Sequence, residues 1–210
     1  MKKIFALALL MLLIGTEAFA MDWAVGGGLL FNYTRAIGKW DYYYYGGSYT
    51  DTDIITRQGF GGFAFLGLGR FWELNLGFMY KNPSKEIYID NYYGTTDKDD
   101  ISSIDGSVGL QIGVYFKYPF VISDMFVLFP TVGIDYEHTF SKVDWWWDDL
   151  WFRGGVGLDI FFTQRVFLRT HFIYGLGIII ADDYSWFNSD DWDRRYSHGL
   201  LIKIGVGFMF

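Results

Sequence analysis

Charged and amide side chains recur at alternate positions along several stretches: Glu73 and Asn75; Asp105, Gln111 and Lys117; Asp135 and Glu137; Arg153 and Asp159; Arg169 and His171; and Lys203. Alternate residues of a strand point to one face. On that reading five acids and four bases share one surface, with His171, Asn75 and Gln111 between them. Unpaired charges held away from water are very costly. The chemistry expected is therefore mutual neutralisation, a network of ion pairs that holds strands in register. The competing reading is a narrow solute path lined by both signs.

Other reactive groups are few. There are three histidines and no cysteine. His138 follows Glu137 with Ser141 three residues on, and His198 follows Ser197. Adjacent residues on a strand face opposite ways, and a hydrolase needs nucleophile and base within hydrogen-bond reach. No catalytic residue is assigned, and the chain is not read as an enzyme. The acid runs Asp51-Thr52-Asp53, Asp97-Lys98-Asp99-Asp100 and Ser189-Asp190-Asp191-Trp192-Asp193 lack the spacing of a calcium loop, with its glycine and terminal glutamate. No metal or cofactor is expected.

The elements that must position the alternating charges are strands. Opposite the small and polar residues run bulky apolar ones: Trp72, Leu74, Leu76, Phe78 and Tyr80; Val108, Leu110, Ile112, Val114 and Phe116; Phe152, Val156, Leu158, Ile160 and Phe162; Leu200, Ile202, Ile204, Val206, Phe208 and Phe210. Seven segments alternate clearly, beginning near 23, 72, 104, 126, 150, 166 and 199. An eighth, about 54–68, is irregular: Phe60, Leu66 and Leu68 fall on one face, but Phe63 and Phe65 on the other. A β-bulge near Gly61-Gly62 would reconcile them. A soluble sandwich would turn its polar residues outward. Here the bulky face is an apolar band and the small face carries charges of both signs, which is the pattern of a membrane barrel.

The two ends of the chain agree. Lys2 and Lys3, the apolar run Ile4–Ile14 and Ala18-Phe19-Ala20 read as a signal peptide, residues 1–20, cleaved after Ala20. Eleven apolar residues fall short of the about 20 that a transmembrane helix needs. Residues 21–210 are then one domain. Aromatic residues make up 22% of the chain, and the formal net charge of −7 excludes a nucleic-acid partner. A chain this apolar without a spanning helix must satisfy its backbone in a closed barrel.

Connections near Gly69–Phe71, Pro119–Asp124 and Thr163–Arg165 read as short turns facing the periplasm. The segments 36–53, 81–100, 141–149 and 181–196 read as long outer loops holding most of the acids. Tyr43, Tyr44, Trp145, Trp146, Trp147 and Trp186 within them are candidates for recognition of an extracellular ligand, with the interfacial aromatic belt as the alternative. Tyr80 and Trp151, next to strand ends, are expected in the interfacial aromatic belt. Many glycines lie on the inward face (Gly26, Gly28, Gly77, Gly109, Gly113, Gly155, Gly157, Gly205, Gly207). They leave space for a partial lumen, or let the strands coil tightly.

The final strand, Leu200-Leu-Ile-Lys-Ile-Gly-Val-Gly-Phe-Met-Phe210, together with Leu128–Tyr136 and the hairpin Gly157–Arg169, resembles the small eight-stranded outer-membrane proteins, the broad group of OmpX-like and OmpW-like barrels. The resemblance implies an all-β fold: an eight-stranded antiparallel transmembrane up-and-down β-barrel in the outer membrane of a diderm bacterium. It also implies that Ile202, Ile204, Val206, Phe208 and Phe210 are read by the barrel-assembly machinery. Outer-membrane lipids are the expected surroundings, and a monomer is the expected state. The functional expectation is a structural or surface-interaction barrel with a mostly filled bore. The alternative is a narrow channel for small solutes.

Overall fold

A computed structural model describes residues 23–44, 47–90, 97–104, 106–140, 147–182 and 196–210. The signal segment and Asp105 lie outside them. The described residues form eleven strands. Eight build the wall: β1 (Ala24–Tyr44), β2 (Gly47–Leu68), β3 (Trp72–Lys81), β6 (Ser107–Lys117), β8 (Phe126–Phe140), β9 (Trp147–Phe161), β10 (Val166–Asp182) and β11 (Tyr196–Met209). Each pairs antiparallel with its neighbour, and β1 pairs with both β2 and β11, so the sheet closes. The fold is the eight-stranded antiparallel barrel expected from the alternation. Closure leaves no edge along the wall, so backbone donors and acceptors are satisfied without water.

The faces are inverted relative to a soluble protein. Side chains on the outer wall are apolar and exposed: Leu29 at 75%, Phe78 at 59%, Val132 at 59%, Leu176 at 57%. On the inner wall Glu73, Asp135 and Glu137 have no exposure at all. The 10 residues of β3, at about 3.4 Å each and tilted by about 40°, rise about 26 Å, the height of a membrane barrel's apolar band.

Strand 2 needs no bulge. Its register runs unbroken against β1 from Ala24↔Gly67 to Tyr44↔Gly47, and against β3 from Gly59↔Lys81 to Leu68↔Trp72. Phe63 and Phe65 simply point into the bore, at 6% and 4% exposure. Their partners show why this is possible: Phe65 stands opposite Gly26 and Phe63 opposite Gly28. The same row continues around the wall as Phe65, Gly26, Gly207 and Phe167. Elsewhere Phe129 faces Gly157, Tyr115 faces Gly133 and Trp151 faces Gly177. A Cβ at Gly26 would strike the Phe65 ring, and one at Gly157 the Phe129 ring. Eight strands enclose room for side chains and little else. These inward aromatic groups therefore take the places left by glycines on neighbouring strands.

The connections differ from expectation at both ends. Gly69 alone among the described glycines has positive φ, 65°, which suits the tight turn from β2 to β3. The segment Pro119–Asp124 is more than a turn: β7 (Phe120–Ser123) pairs with the start of β8 after a break at Tyr118-Pro119. At the other end, much of what read as loop is strand. Strand β1 leaves β11 at Ile37 but stays paired with β2 up to Tyr44↔Gly47, about 24 Å further. Residues 84–104 contain a further hairpin, β4 (Ser84–Asp90) and β5 (Asp97–Ile104), and β4 pairs with β2 beyond the barrel. The polarity that marks these stretches as loops arises because they are strands outside the apolar band, where neither face must be greasy. Strand β9 likewise begins at Trp147, and β10 runs on to Asp182.

Replacing Gly157 by Val should force the Phe129 ring aside and destabilise the barrel by about 1–3 kcal/mol. Urea titration of the folded, heat-modifiable gel band in lipid vesicles measures this. In a Phe129→Ala background the valine should cost less, since the ring is gone and only the close approach to the Thr170 carbonyl is left.

Candidate functional site

The inward charges meet in tiers along the bore. Nearest the short turns, Arg169 of β10 sits opposite its cross-strand partner Asp159 of β9. Its Nε donates to Asp159 Oδ1 at 2.7 Å and its Nη2 to Oδ2 at 2.5 Å. Its Nη1 reaches across the barrel to Glu73 Oε2 on β3, at 2.5 Å. Lys117 on β6 donates to that same Glu73 oxygen at 3.3 Å, and Asn75 Nδ2 donates to Oε1 at 2.8 Å. One guanidinium thus ties three strands together, two of them on opposite sides of the bore. Its faces are covered as well: the Arg169 Cζ lies 4.5 Å from the Phe65 ring centre, 4.8 Å from Phe167 and 5.5 Å from Phe129. A desolvated cation over aromatic faces gains about 2 kcal/mol.

The middle tier is built on Asp135 of β8. Its Oδ2 accepts from Tyr115 Oη and from Gln111 Nε2, each at 2.5 Å. The Arg153 Nε lies 2.5 Å from the same oxygen. Lys203 donates to Asn75 Oδ1 at 3.1 Å and stands over the Tyr115 ring at 4.9 Å. This links the two tiers through β11. His171 lies beside Glu73, its Nε2 3.9 Å from Oε1, with its ring edge-on to Phe129.

The outer tier lies nearest the long hairpins. Lys81 forms a close ion pair with Glu137 and donates to Thr139 Oγ1 at 2.9 Å. Glu137 and Asp149 are direct cross-strand partners. Asn32, Arg57, Ser107, Trp151 and Ser197 complete the buried set.

Of the twelve inward polar residues read from the sequence, eleven lie buried in the bore, and Asp105 is outside the described residues. Three charged members were not read: Arg57, Lys81 and Asp149. Lys81 and Asp149 had been assigned to outer loops, and Arg57 to the irregular strand. Parity carried two residues further, from Met79 to Lys81 and from Arg153 through Trp151 to Asp149, locates two of them. The same parity moves Trp151. It was expected in the aromatic belt, yet it is 1% exposed inside the bore, with Arg153 over its ring at 4.5 Å. Tyr80, assigned with it, does face outward.

The terminal residues lie on the lipid-facing wall: Ile204, Val206, Phe208 and Phe210 are exposed and Ile202 half-buried, on a strand paired on both sides. Tyr43 and Tyr44 belong to strand β1 rather than to a loop, and Trp147 opens β9. Trp145, Trp146 and Trp186 lie outside the described residues. On the outer wall His138 Nδ1 lies 2.5 Å from Asp148 Oδ1, with its ring edge-on to Phe140 at 4.3 Å. Ser141 lies outside the described residues. Ser197 is buried and His198 is on the opposite face, so these two do not form a nucleophile–base pair. Among the described residues no three metal-ligating side chains come together.

No protein-family model matches the chain, and no curated protein does either. Solved structures do show likeness. The outer membrane protein OprG from Pseudomonas aeruginosa is 13% identical, with a TM-score of 0.49, 90% of this chain and 96% of that one being covered. Neisserial surface protein A is 14% identical, with a TM-score of 0.38 over 88% and 99%. The attachment invasion locus protein Ail of Yersinia pestis is 12% identical, with a TM-score of 0.30 over 88% and 98%. Such low identity says nothing of activity, and the barrel described above stands on its own strand pairing.

Replacing Arg169 by Met should leave Glu73 and Asp159 buried beside an apolar group, at a cost of about 3–5 kcal/mol. The Asn75→Ala variant, which removes a neutral partner, should cost about 1–3 kcal/mol. Urea unfolding of both variants in vesicles, followed by tryptophan fluorescence, gives the comparison.

Proposed function

We propose that this chain is an integral outer-membrane barrel of a diderm bacterium. In this reading it passes no solute through its bore and acts through the strands it raises beyond the membrane. The apolar outer wall supports the location, since only lipid makes such a surface inexpensive. With the short turns in the periplasm, the extended hairpins face outward and both ends of the barrel domain lie inside, where the Phe210 amide donates to the Trp23 carbonyl at 2.8 Å. The partners on this reading are outer-membrane lipids and, during insertion, the assembly machinery at Ile202–Phe210.

The observation that carries the proposal is the middle of the bore. Asp135, Ile173 and Leu201 have no exposure there, and Gln111, Tyr115 and Lys203 have 1%. The Arg169–Glu73 ion pair and the Lys203–Asn75 hydrogen bond span the bore beside this region, so opening a path requires breaking them. A closed barrel works through its surfaces, and the surface this chain elaborates is the outer sheet of β1, β2, β4 and β5. The register there pairs Trp40 with Asp51, Tyr42 with Tyr49, Asp53 with Tyr88 and Tyr88 with Asp99, so the sheet is rich in aromatic positions. Aromatic-rich sequence of this kind is typical of recognition surfaces, where such side chains bring large contact area.

Refolded protein in planar bilayers should show no stable conductance steps. Stable steps in the unmodified protein would favour the channel reading and sink this one. The double variant Arg169→Met, Glu73→Gln should conduct measurably more than the unmodified protein, if the network is the seal.

A further inference from the structure

On the outer wall, one place breaks the apolar pattern. The outward positions of β1 run Leu29, Phe31, Tyr33 and then Arg35, Ile37 and Lys39. Arg35 comes twelve residues after Trp23, about 31 Å up the barrel at about 3.4 Å per residue and a tilt of about 40°. The apolar band of such a barrel is about 25 Å tall, with aromatic girdles at its rims. Tyr33 and Tyr174 are exposed at the upper rim, and Arg35 stands one outward position above Tyr33, at the level of the lipid headgroups. Its cross-strand partner on β11 is His198. The His198 ring also faces outward, with its centre 6.1 Å from that of Tyr174.

Among the described residues this basic pair is unanswered. Arg35 Nε is buried without a hydrogen-bond partner. The outward positions around it are Ile54, Thr56 and Gln58 on β2 and Tyr196 and Leu200 on β11, so no carboxylate adjoins it there. Elsewhere on the outer wall, by contrast, His138 already has Asp148 at 2.5 Å. A guanidinium fork matches the oxygens of a phosphate two at a time. The imidazole N–H supplies a further donor, and the exposed Lys39, two outward positions above Arg35, adds positive charge. Down the same two strands the wall is lowered. The Phe31 and Phe60 rings pack at 4.9 Å; below them Leu29 faces Gly62 and Gly27 faces Ala64. With so little beside it, Leu29 is 75% exposed. This depression ends about 21 Å below Arg35, at Gly27. A free anion would need only the basic pair. The depression beneath it gives room for hydrocarbon attached to the anion, which points to a lipid.

We propose that Arg35 and His198, with Lys39 above them, bind the phosphate of an outer-leaflet lipid whose acyl chains lie along the depression at Gly62, Ala64 and Gly27. The site rests on the outward orientation of the hairpins in the reading above. It is independent of the seal, because it lies on the outer wall and not in the bore.

The probe is lipid A carrying two phosphates, titrated against the refolded protein in detergent micelles and counted by native mass spectrometry. The unmodified protein should bind it about tenfold or more tightly than the same lipid stripped of its phosphates, the loss expected when charge-assisted hydrogen bonds are removed. The double variant Arg35→Gln, His198→Gln should lose about the same factor for the phosphorylated lipid and leave the stripped lipid unchanged. Arg70→Gln, in the β2–β3 turn at the other end of the barrel, should change neither. Equal binding of the two lipids by the unmodified protein would overturn the site, and that comparison needs no variant to fold. Undiminished binding by a folded double variant would overturn it as well. Inorganic phosphate held as tightly as the lipid would show that the chains contribute nothing and would overturn a lipid as the occupant. Binding in micelles depends neither on how the barrel is oriented in a membrane nor on conductance, so failure of the sealed-bore reading and failure of this site show separately.

Discussion

Everything in this barrel follows from closing the sheet between β1 and β11. Once closed, the wall has no unpaired backbone along its length, and lipid can surround it. Closure also makes the inner face a finite space. Alternate residues of eight strands point into a bore wide enough for side chains and little else. Large groups can be admitted only where a neighbour is small. The cross-strand rows show this trade: Phe65 with Gly26, Phe167 with Gly207, Phe129 with Gly157, Trp151 with Gly177. Glycine here acts through its missing side chain, whereas at Gly69 it acts through its backbone.

Packing of that kind leaves the side chains in the middle of the bore buried, and burial decides the electrostatics. A carboxylate such as Glu73, with no exposure, is tolerable only with partners. Its partners come from β3, β6 and β10, so satisfying one charge fixes three strands relative to one another. Buried ion pairs add little net stability compared with apolar groups of the same shape, but breaking one is costly. The network is therefore better understood as setting register than as adding strength. A slip of β10 by one residue would turn Arg169 out into lipid and leave Asp159 buried without its partner.

The sequence carried the architecture well and the details unevenly. Alternation identified the inward charges because the lipid-facing side is so uniformly apolar that any polar residue stands out by parity. The same logic failed at Phe63 and Phe65, where bulk on the inward face imitated a register shift. A single strand cannot show that the glycines answering those rings lie on its neighbour. Trp151 was misplaced for a related reason: an aromatic near a strand end suits the interface or the bore equally, and only its parity with Arg153 separates the two. The strands beyond the membrane were hidden because alternation is imposed by lipid. Where β1 and β2 rise past Ile37, both faces can be polar, and the pattern that marks a strand disappears although the pairing continues.

Strand β7 breaks the wall's rule in the opposite sense. Phe120, Val121 and Ile122 are consecutive and all exposed, and Met125 and Phe126 extend the apolar surface into β8. The Tyr118-Pro119 break releases β7 from pairing with β3, so its residues no longer have one side in the bore. Tyr118 and Phe120 lie in ring contact at 5.0 Å, and Phe71 stacks on both Phe116 and Tyr118. The greasy belt on the β6–β8 side consequently continues past the end of β6. A bilayer of even thickness meets an uneven belt by tilting the protein or by thickening locally. The short hairpin thus gives the cylinder a preferred lean and the surrounding membrane a thick side and a thin side.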